Sequence, residues 1–183
     1  MQIFLKWKAW HIFLLIVVFP FATQSLIMNA LINSSEVQPG LLFKVMPLIM
    51  LIFIGIYLLW FWSLGTELNK ILPETIRLKA SRFKFGIKFC AIYMVAFQVF
   101  FIATANGATF GALMPIVFIL HLVAMYFMFY SIYFISKNLV TFENHVNDKS
   151  ASSKGTFFLM WFFPLGIWFV QPRVNKMFAA KNT

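Results

Sequence analysis

Three polar side chains stand inside long apolar stretches of this 183-residue chain, namely Gln24, Gln98 and His121. The imidazole of His121 belongs to the side-chain type whose charge changes near neutral pH, so it could accept and release a proton. The two amides both donate and accept hydrogen bonds. Together the three could form a small polar binding site, or they could fix the packing of helices by hydrogen bonding.

No stronger chemical signature accompanies them. The serine, histidine and acidic residues do not fall at the spacing of a known nucleophile motif, and no glycine-rich phosphate loop is present. The chain has one cysteine, Cys90, which excludes an internal disulfide and a cysteine-cluster metal site. We therefore predict no catalytic residue, no metal site and no cofactor.

The composition places the chain in a membrane. Of its residues 62% are hydrophobic and 11% are charged, against roughly 45 to 50% and roughly 25% in a soluble domain. Its 15 Lys and Arg residues outnumber 5 Asp and Glu, giving a net charge of +10. The positive-inside rule explains this excess more simply than a nucleic-acid partner, which we do not expect.

Four apolar stretches, 12–32, 46–64, 89–105 and 113–136, have the length of membrane spans. Pro47 and Pro115 lie in the first turns of the second and fourth stretches, where the missing N–H group costs little. The sequence therefore predicts an all-α integral membrane bundle, with residues 1–183 as one membrane domain.

The predicted spans bring the three polar residues to one depth. At 1.5 Å per residue, Gln24 and His121 lie about 18 Å from the inner boundary and Gln98 about 14 Å. We therefore predict a polar layer near the middle of the membrane. Pro20, one turn before Gln24, leaves the carbonyl of Ile16 without its helical donor at a similar depth.

A last apolar stretch, 156–170, corresponds to about 22 Å of helix and is too short for an ordinary span. It is a short fifth span or a re-entrant hairpin that turns at 164–166. The re-entrant form leaves every Lys and Arg except Lys44 on the inner side, whereas a fifth span would move Arg173, Lys176 and Lys181 outside. We favour the re-entrant form, with both termini in the cytoplasm.

The inner loop between the second and third spans carries a basic cluster next to the membrane. Basic side chains in this position bind anionic lipid headgroups at about 1 kcal/mol per charge, although an acidic protein partner could use the same cluster. The predicted headgroup-binding residues are Arg77, Lys79, Arg82, Lys84 and Lys88. In the fourth span, Tyr126, Tyr130 and Tyr133 share one face. Such a face could line a quinone or lipid groove, but at interfacial depth it is more typical of an anchor or a packing face.

Residues 157–175, which read FFLMWFFPLGIWFVQPRVN, resemble a C-terminal signature of small uncharacterised bacterial membrane proteins. In that signature an aromatic run precedes Pro-x-Gly-Ile-Trp and then Gln-Pro-Arg-x-Asn. The resemblance covers about the last quarter of the chain and implies a multi-pass protein of the bacterial inner membrane, without implying an activity. The single cysteine and the many Phe, Ile and Lys residues fit that location.

Two functional hypotheses follow from the sequence. The first is a non-enzymatic accessory or scaffold subunit of an inner-membrane complex, with membrane lipids and other membrane subunits as partners. The alternative is a small transporter or lipid-handling protein that uses Gln24, Gln98 and His121, although the spans contain no carboxylate for proton coupling. An integral membrane enzyme ranks third.

Overall fold

Helices form the regular structure throughout the part of the chain that the computed structural model describes, residues 3–33, 39–147 and 152–181, and no strand occurs there. Helices are expected because a backbone in hydrocarbon must satisfy its own hydrogen bonds. Within these ranges four helical stretches are long and apolar enough to cross a membrane: Ala9–Ala30, Val45–Ile71, Ser81–Ala105 and Gly111–Val146. The predicted all-α bundle is confirmed.

The first span is a composite helix. Its elements are α1 (Ile3–Lys6), α2 (Ala9–Phe13), a π-helical turn (Leu14–Val18) and α3 (Phe19–Asn33). At the end of the π-helical turn, the N–H of Phe19 donates to the carbonyl of Leu14, one residue farther back than in an α-helix. The shifted hydrogen bonds lie directly before Pro20, which has no N–H to donate.

The other three spans are longer than predicted. They are α4 (Pro39–Ile71), α5 (Ser81–Ala105) and α6 (Met114–Asn147). Charged residues end the apolar stretch but not the backbone hydrogen bonding, so α4 continues through Glu67 and Lys70. Since α4 begins at Pro39, the prediction that Pro47 lies in a first turn is wrong. The corresponding prediction for Pro115 is confirmed.

The hydrophobic core lies at one end of the bundle. We call this the core end; there α2 and α5 begin, and α4 and α6 end. The side chains of Leu64, Phe83 and Ile135 are fully buried there. The ring of Phe83 stacks on Phe134 with centroids 4.7 Å apart, and a Cβ on Gly65 would overlap that ring. Close helix approach therefore depends on a glycine at this point.

The opposite end, which we call the open end, is loosely packed. No described side chain of α3 is buried, and none is buried between Met114 and Val123 of α6. At the open end, α3 and α6 therefore present apolar side chains that the rest of the described chain does not cover.

The C-terminal segment is a helical hairpin of α7 (Ser153–Trp161) and α8 (Phe163–Lys181). The turn is at Phe162 rather than at the predicted 164–166, because Pro164 fits into the first turn of α8. With 9 residues, α7 is about 13 Å long and cannot cross a bilayer core. Arg173 of α8 contacts Thr156 of α7, so the hairpin leaves and returns to the core end. That it re-enters the membrane stays a prediction.

The hairpin turn predicts that alanine substitution lowers the stability at one glycine of the hairpin and not at another. A Cβ on Gly166 would collide with the backbone carbonyl of Leu159, whereas one on Gly155 would meet nothing within 4 Å. We expect Gly166→Ala to lower the free energy of unfolding by about 1 to 3 kcal/mol. Gly155→Ala should leave it unchanged or raise it slightly, because alanine is the better helix former. Denaturant unfolding in detergent, followed by near-UV circular dichroism, measures both; equal stabilities would contradict the described turn.

Candidate functional site

The chain leaves its helical path between α1 and α2, and this break exposes backbone carbonyl groups inside the protein. Lys6 ends α1 and Ala9 begins α2, so the carbonyls of Phe4 and Trp7 lack a continuous helix to supply their donors. A buried carbonyl without a donor is costly, so these groups require partners from elsewhere in the chain.

Gln171 of α8 supplies those partners. Its side chain is 0% exposed, and its Nε2 donates to the carbonyl oxygens of Phe4 at 2.8 Å and Trp7 at 3.0 Å. Its Oε1 accepts a hydrogen bond from the indole Nε1 of Trp60 at 3.3 Å. One amide thus joins the N-terminal segment, α4 and α8.

Asn175 lies one helical turn after Gln171 and extends this network. Its Nδ2 donates to the carbonyl of Trp7 at 3.1 Å, and its Oδ1 accepts from Gln171 at 3.1 Å. Residues four apart lie on one helix face, so both amides face the N-terminal segment.

Arg173 fastens the hairpin to α6. Its Nε and Nη2 donate to the two carboxylate oxygens of Glu143 at 2.7 and 2.5 Å, and its Nη1 donates to the hydroxyl of Thr156 at 3.1 Å. Both charged side chains are largely buried, and this two-point geometry is the stronger form of an arginine–carboxylate pair. We call Gln171, Arg173 and Asn175 with these partners the C-terminal clamp.

The clamp is the arrangement that sequence reasoning missed. Its three polar residues belong to the Gln-Pro-Arg-x-Asn part of the segment that carries the resemblance. The signal that could have revealed it is the i, i+4 spacing of Gln171 and Asn175 beside an apolar helix. The carbonyls that the amides bind, however, lie more than 160 positions away, and the carboxylate that Arg173 binds lies 30 positions away. Sequence periodicity carries no information over such separations.

The three residues of the predicted polar layer make separate contacts in the described part of the chain. No hydrogen bond or ring contact joins any two of Gln24, Gln98 and His121 among the described contacts. His121 instead shares a 3.0 Å hydrogen bond between its Nδ1 and the hydroxyl of Tyr93, and its ring contacts Phe97. Gln98 is 8% exposed and Gln24 is exposed. The use of these three residues as one functional site stays a prediction.

The basic cluster divides into residues with and without contacts inside the protein. Arg77 caps the end of α4, donating to the carbonyls of Leu72 and Lys70 at distances between 3.0 and 3.2 Å. The guanidinium of Arg82 lies over the ring of Tyr130, and the ammonium of Lys88 over Trp62. Lys79 and Lys84 are exposed. Headgroup binding by these residues stays a prediction. Arg77 is the member whose guanidinium is already hydrogen-bonded to backbone carbonyls of the protein.

The three tyrosines of α6 form the predicted single face. The rings of Tyr126 and Tyr130 are 6.4 Å apart, as are those of Tyr130 and Tyr133. The ammonium of Lys137 lies 5.7 Å from the centre of the Tyr133 ring. Cations over aromatic rings are typical of a membrane interface.

An apolar groove of about 510 Å³ opens between the first span and α4. Gln24 is the polar side chain among those that line it, and it makes no hydrogen bond with the described residues. The remaining wall comes from the π-helical turn, α3, α4 and the start of α8, including Ile16, Pro20, Phe21, Met46, Met50, Phe53 and Phe163.

Within the described residues, no three His, Cys, Asp or Glu side chains are grouped as a metal site would need. Comparison with known proteins gives no relative: no family model, no curated protein and no solved structure matches the chain. The suggested C-terminal family therefore stays a resemblance, and function has to be inferred from the geometry alone.

The clamp predicts that Gln171 holds the N-terminal segment in place. Gln171→Leu removes the donors to Phe4 and Trp7, and we expect the free energy of unfolding to fall by about 1 to 3 kcal/mol. Trypsin should then cleave faster at Lys6 and Lys8. Gln171→Glu keeps an acceptor for Trp60 but places a buried carboxylate against the two carbonyl oxygens, so it should lower the stability at least as much as Leu.

Gln24→Leu is the matched control for Gln171, because Gln24 is exposed and makes no internal hydrogen bond. It should leave both stability and cleavage unchanged. A Gln171→Leu protein as resistant to trypsin as the unmodified chain would show that the network does not secure the N-terminal segment.

A second prediction concerns the pair of Tyr93 and His121. His121→Leu and Tyr93→Phe each remove the same hydrogen bond, so a double-mutant cycle in detergent should give a coupling of about 0.6 kcal/mol, the average for intramembrane hydrogen bonds. His121→Gln keeps a hydrogen-bonding group and should stay close to the unmodified protein. A Gln variant that folds stably but fails to complement a deletion strain would instead indicate that His121 exchanges a proton, because an amide cannot replace an imidazole in that role.

Proposed function

We propose that the protein is a non-enzymatic accessory or scaffold subunit of a complex in the bacterial inner membrane, and that other membrane subunits bind at its open end. One observation carries the proposal: the open-end halves of α3 and α6 contain no buried described side chain. A bundle that is well packed at one end only has room for helices from another protein at the other.

The open-end half of α6 has exposed side chains on more than one side of the helix. Phe118, Ile119 and Leu120 follow one another at about 100° intervals, and all three are exposed. Lipid can cover such a surface, but the exposed imidazole of His121 on the same half of α6 favours a protein, because side-chain hydrogen bonds between helices are a means of association in membranes.

The charge distribution supports an orientation for this subunit. Among the described residues, basic side chains gather at the core end, where Lys6, Lys8 and the start of α5 lie. Arg173 also lies at that end, where it forms an ion pair with Glu143 of α6. By the positive-inside rule the core end, with the N-terminus, faces the cytoplasm. Lys79, Arg82, Lys84 and Lys88 then meet the anionic headgroups of the inner leaflet.

The groove between the first span and α4 supports the alternative, a lipid-handling protein. Its volume lies within the range of roughly 300 to 1,000 Å³ that is usual for ligand sites. The scaffold is the preferred proposal because no hydrogen bond or ring contact among the described residues joins Gln24, Gln98 and His121.

Site-specific photo-crosslinking tests the scaffold proposal. A photoreactive benzoyl-phenylalanine replaces Phe118 of α6 or Leu26 of α3, both exposed at the open end, and Phe85 at the core end serves as an equally exposed control. We expect a discrete protein adduct of constant size from Phe118 and Leu26, with the same protein co-purifying in fixed stoichiometry without crosslinking. Folded variants that yield lipid adducts alone at both open-end positions would contradict the proposal.

A further inference from the structure

The groove beside Gln24 has the features of a ligand site within the membrane. One wall is formed where the π-helical turn meets α3, the other by α4, and the start of α8 borders it at Phe163 and Pro164. π-helical turns inside α-helices are frequent at functional sites. The groove lies between two candidate membrane spans, so a molecule dissolved in the bilayer is the kind of ligand that it could meet.

Gln24 sets the chemistry of the occupant. It lies 15 residues after Ala9 and six before Ala30, so it is about 22 Å and about 9 Å from the two ends of that span. At this depth an amide without a hydrogen-bond partner is costly, and no described residue supplies one. The occupant should therefore carry a hydrogen-bonding group inside an otherwise apolar body.

The depth of Gln24 in the span limits which membrane lipids can place a carbonyl group beside it. A phospholipid also has carbonyl groups, but its charged headgroup keeps them at the membrane surface. A side chain on a helix leans towards the N-terminal end, which here directs Gln24 farther from the nearer end of the span. A lipid without a charged headgroup can place a carbonyl at this depth, because no charge has to enter the hydrocarbon with it.

The lining favours a planar ring over an acyl chain. Phe21, Phe53 and Phe163 supply aromatic faces, and Met46 and Met50 supply polarisable thioethers. Aromatic rings and methionine sulfur both interact favourably with a further ring. A saturated chain would gain nothing specific from them and would leave Gln24 without a partner.

We propose that this groove binds a quinone-type neutral lipid, with Nε2 of Gln24 donating a hydrogen bond to a ring carbonyl and the isoprenoid tail extending into the bilayer. This inference does not rest on the scaffold proposal, because the groove is a different surface from the exposed half of α6. A protein adduct at Phe118 and quinone labelling of the groove are separate outcomes, so failure of one proposal is distinguishable from failure of the other.

The test uses the full-length protein in phosphatidylglycerol and phosphatidylethanolamine nanodiscs with a photoreactive azido-quinone, and decylubiquinone as the competitor. Mass spectrometry locates the label. We expect labelling within 16–24 and 46–53 that decylubiquinone displaces. Gln24→Leu should weaken the displacement about 3- to 10-fold, the loss of one hydrogen bond of about 0.7 to 1.4 kcal/mol.

Two tryptophan variants on α4 provide the matched pair. Met50→Trp fills the groove and should abolish displaceable labelling, whereas Ile52→Trp, on an exposed position outside the lining, should leave it intact. Near-UV circular dichroism confirms that each variant is folded.

Three results would overturn the proposal. One is groove labelling by a diazirine phospholipid that decylubiquinone does not displace, which would identify an ordinary lipid as the occupant. Another is crosslinking of the groove to a second polypeptide. The third is azido-quinone labelling that is unchanged in both Gln24→Leu and Met50→Trp.

Discussion

The buried amide of Gln171 is the interaction on which the rest of the arrangement depends. The break between α1 and α2 leaves the carbonyls of Phe4 and Trp7 in need of donors, and Gln171 satisfies them while it also accepts from Trp60. Because the donor comes from α8, the last helix has to return to the end where the chain begins. The path of the C-terminal hairpin follows from that requirement.

The clamp also explains why packing is uneven along the bundle. Gln171 and Asn175 hold the N-terminal segment against α8, and Arg173 holds α8 against α6 through Glu143. These contacts, together with the Phe83–Phe134 stack, are all at the core end. Nothing comparable joins the described parts of α3 and α6 at the open end. The packed core end therefore contrasts with the exposed α3 and α6 side chains of the open end.

Sequence reasoning predicts some of these features and not others, for physical reasons. Hydrophobicity locates four spans because hydrocarbon selects apolar helices, but it fails at their ends, where α4 continues past Glu67 without leaving the helical hydrogen-bond pattern. The depth of His121 could be counted along its span. Its partner Tyr93 could not, since that contact depends on the register of α5 against α6. The clamp could not be predicted either, because it also depends on which distant segments pack together. The spacing of polar residues on α8 does not show which distant carbonyl groups need donors.

The N-terminal segment and the last helix meet at the core end, and this arrangement can be measured directly. In a Cys90→Ser background, single cysteines at Lys8, Lys176 and Thr109, all exposed, are treated with a membrane-impermeant maleimide on intact spheroplasts and again after permeabilisation. The account predicts that Thr109→Cys reacts in intact spheroplasts, whereas Lys8→Cys and Lys176→Cys react only after permeabilisation. Labelling of Lys176→Cys from the same side as Thr109→Cys would contradict it, because the last helix would then cross the membrane instead of returning.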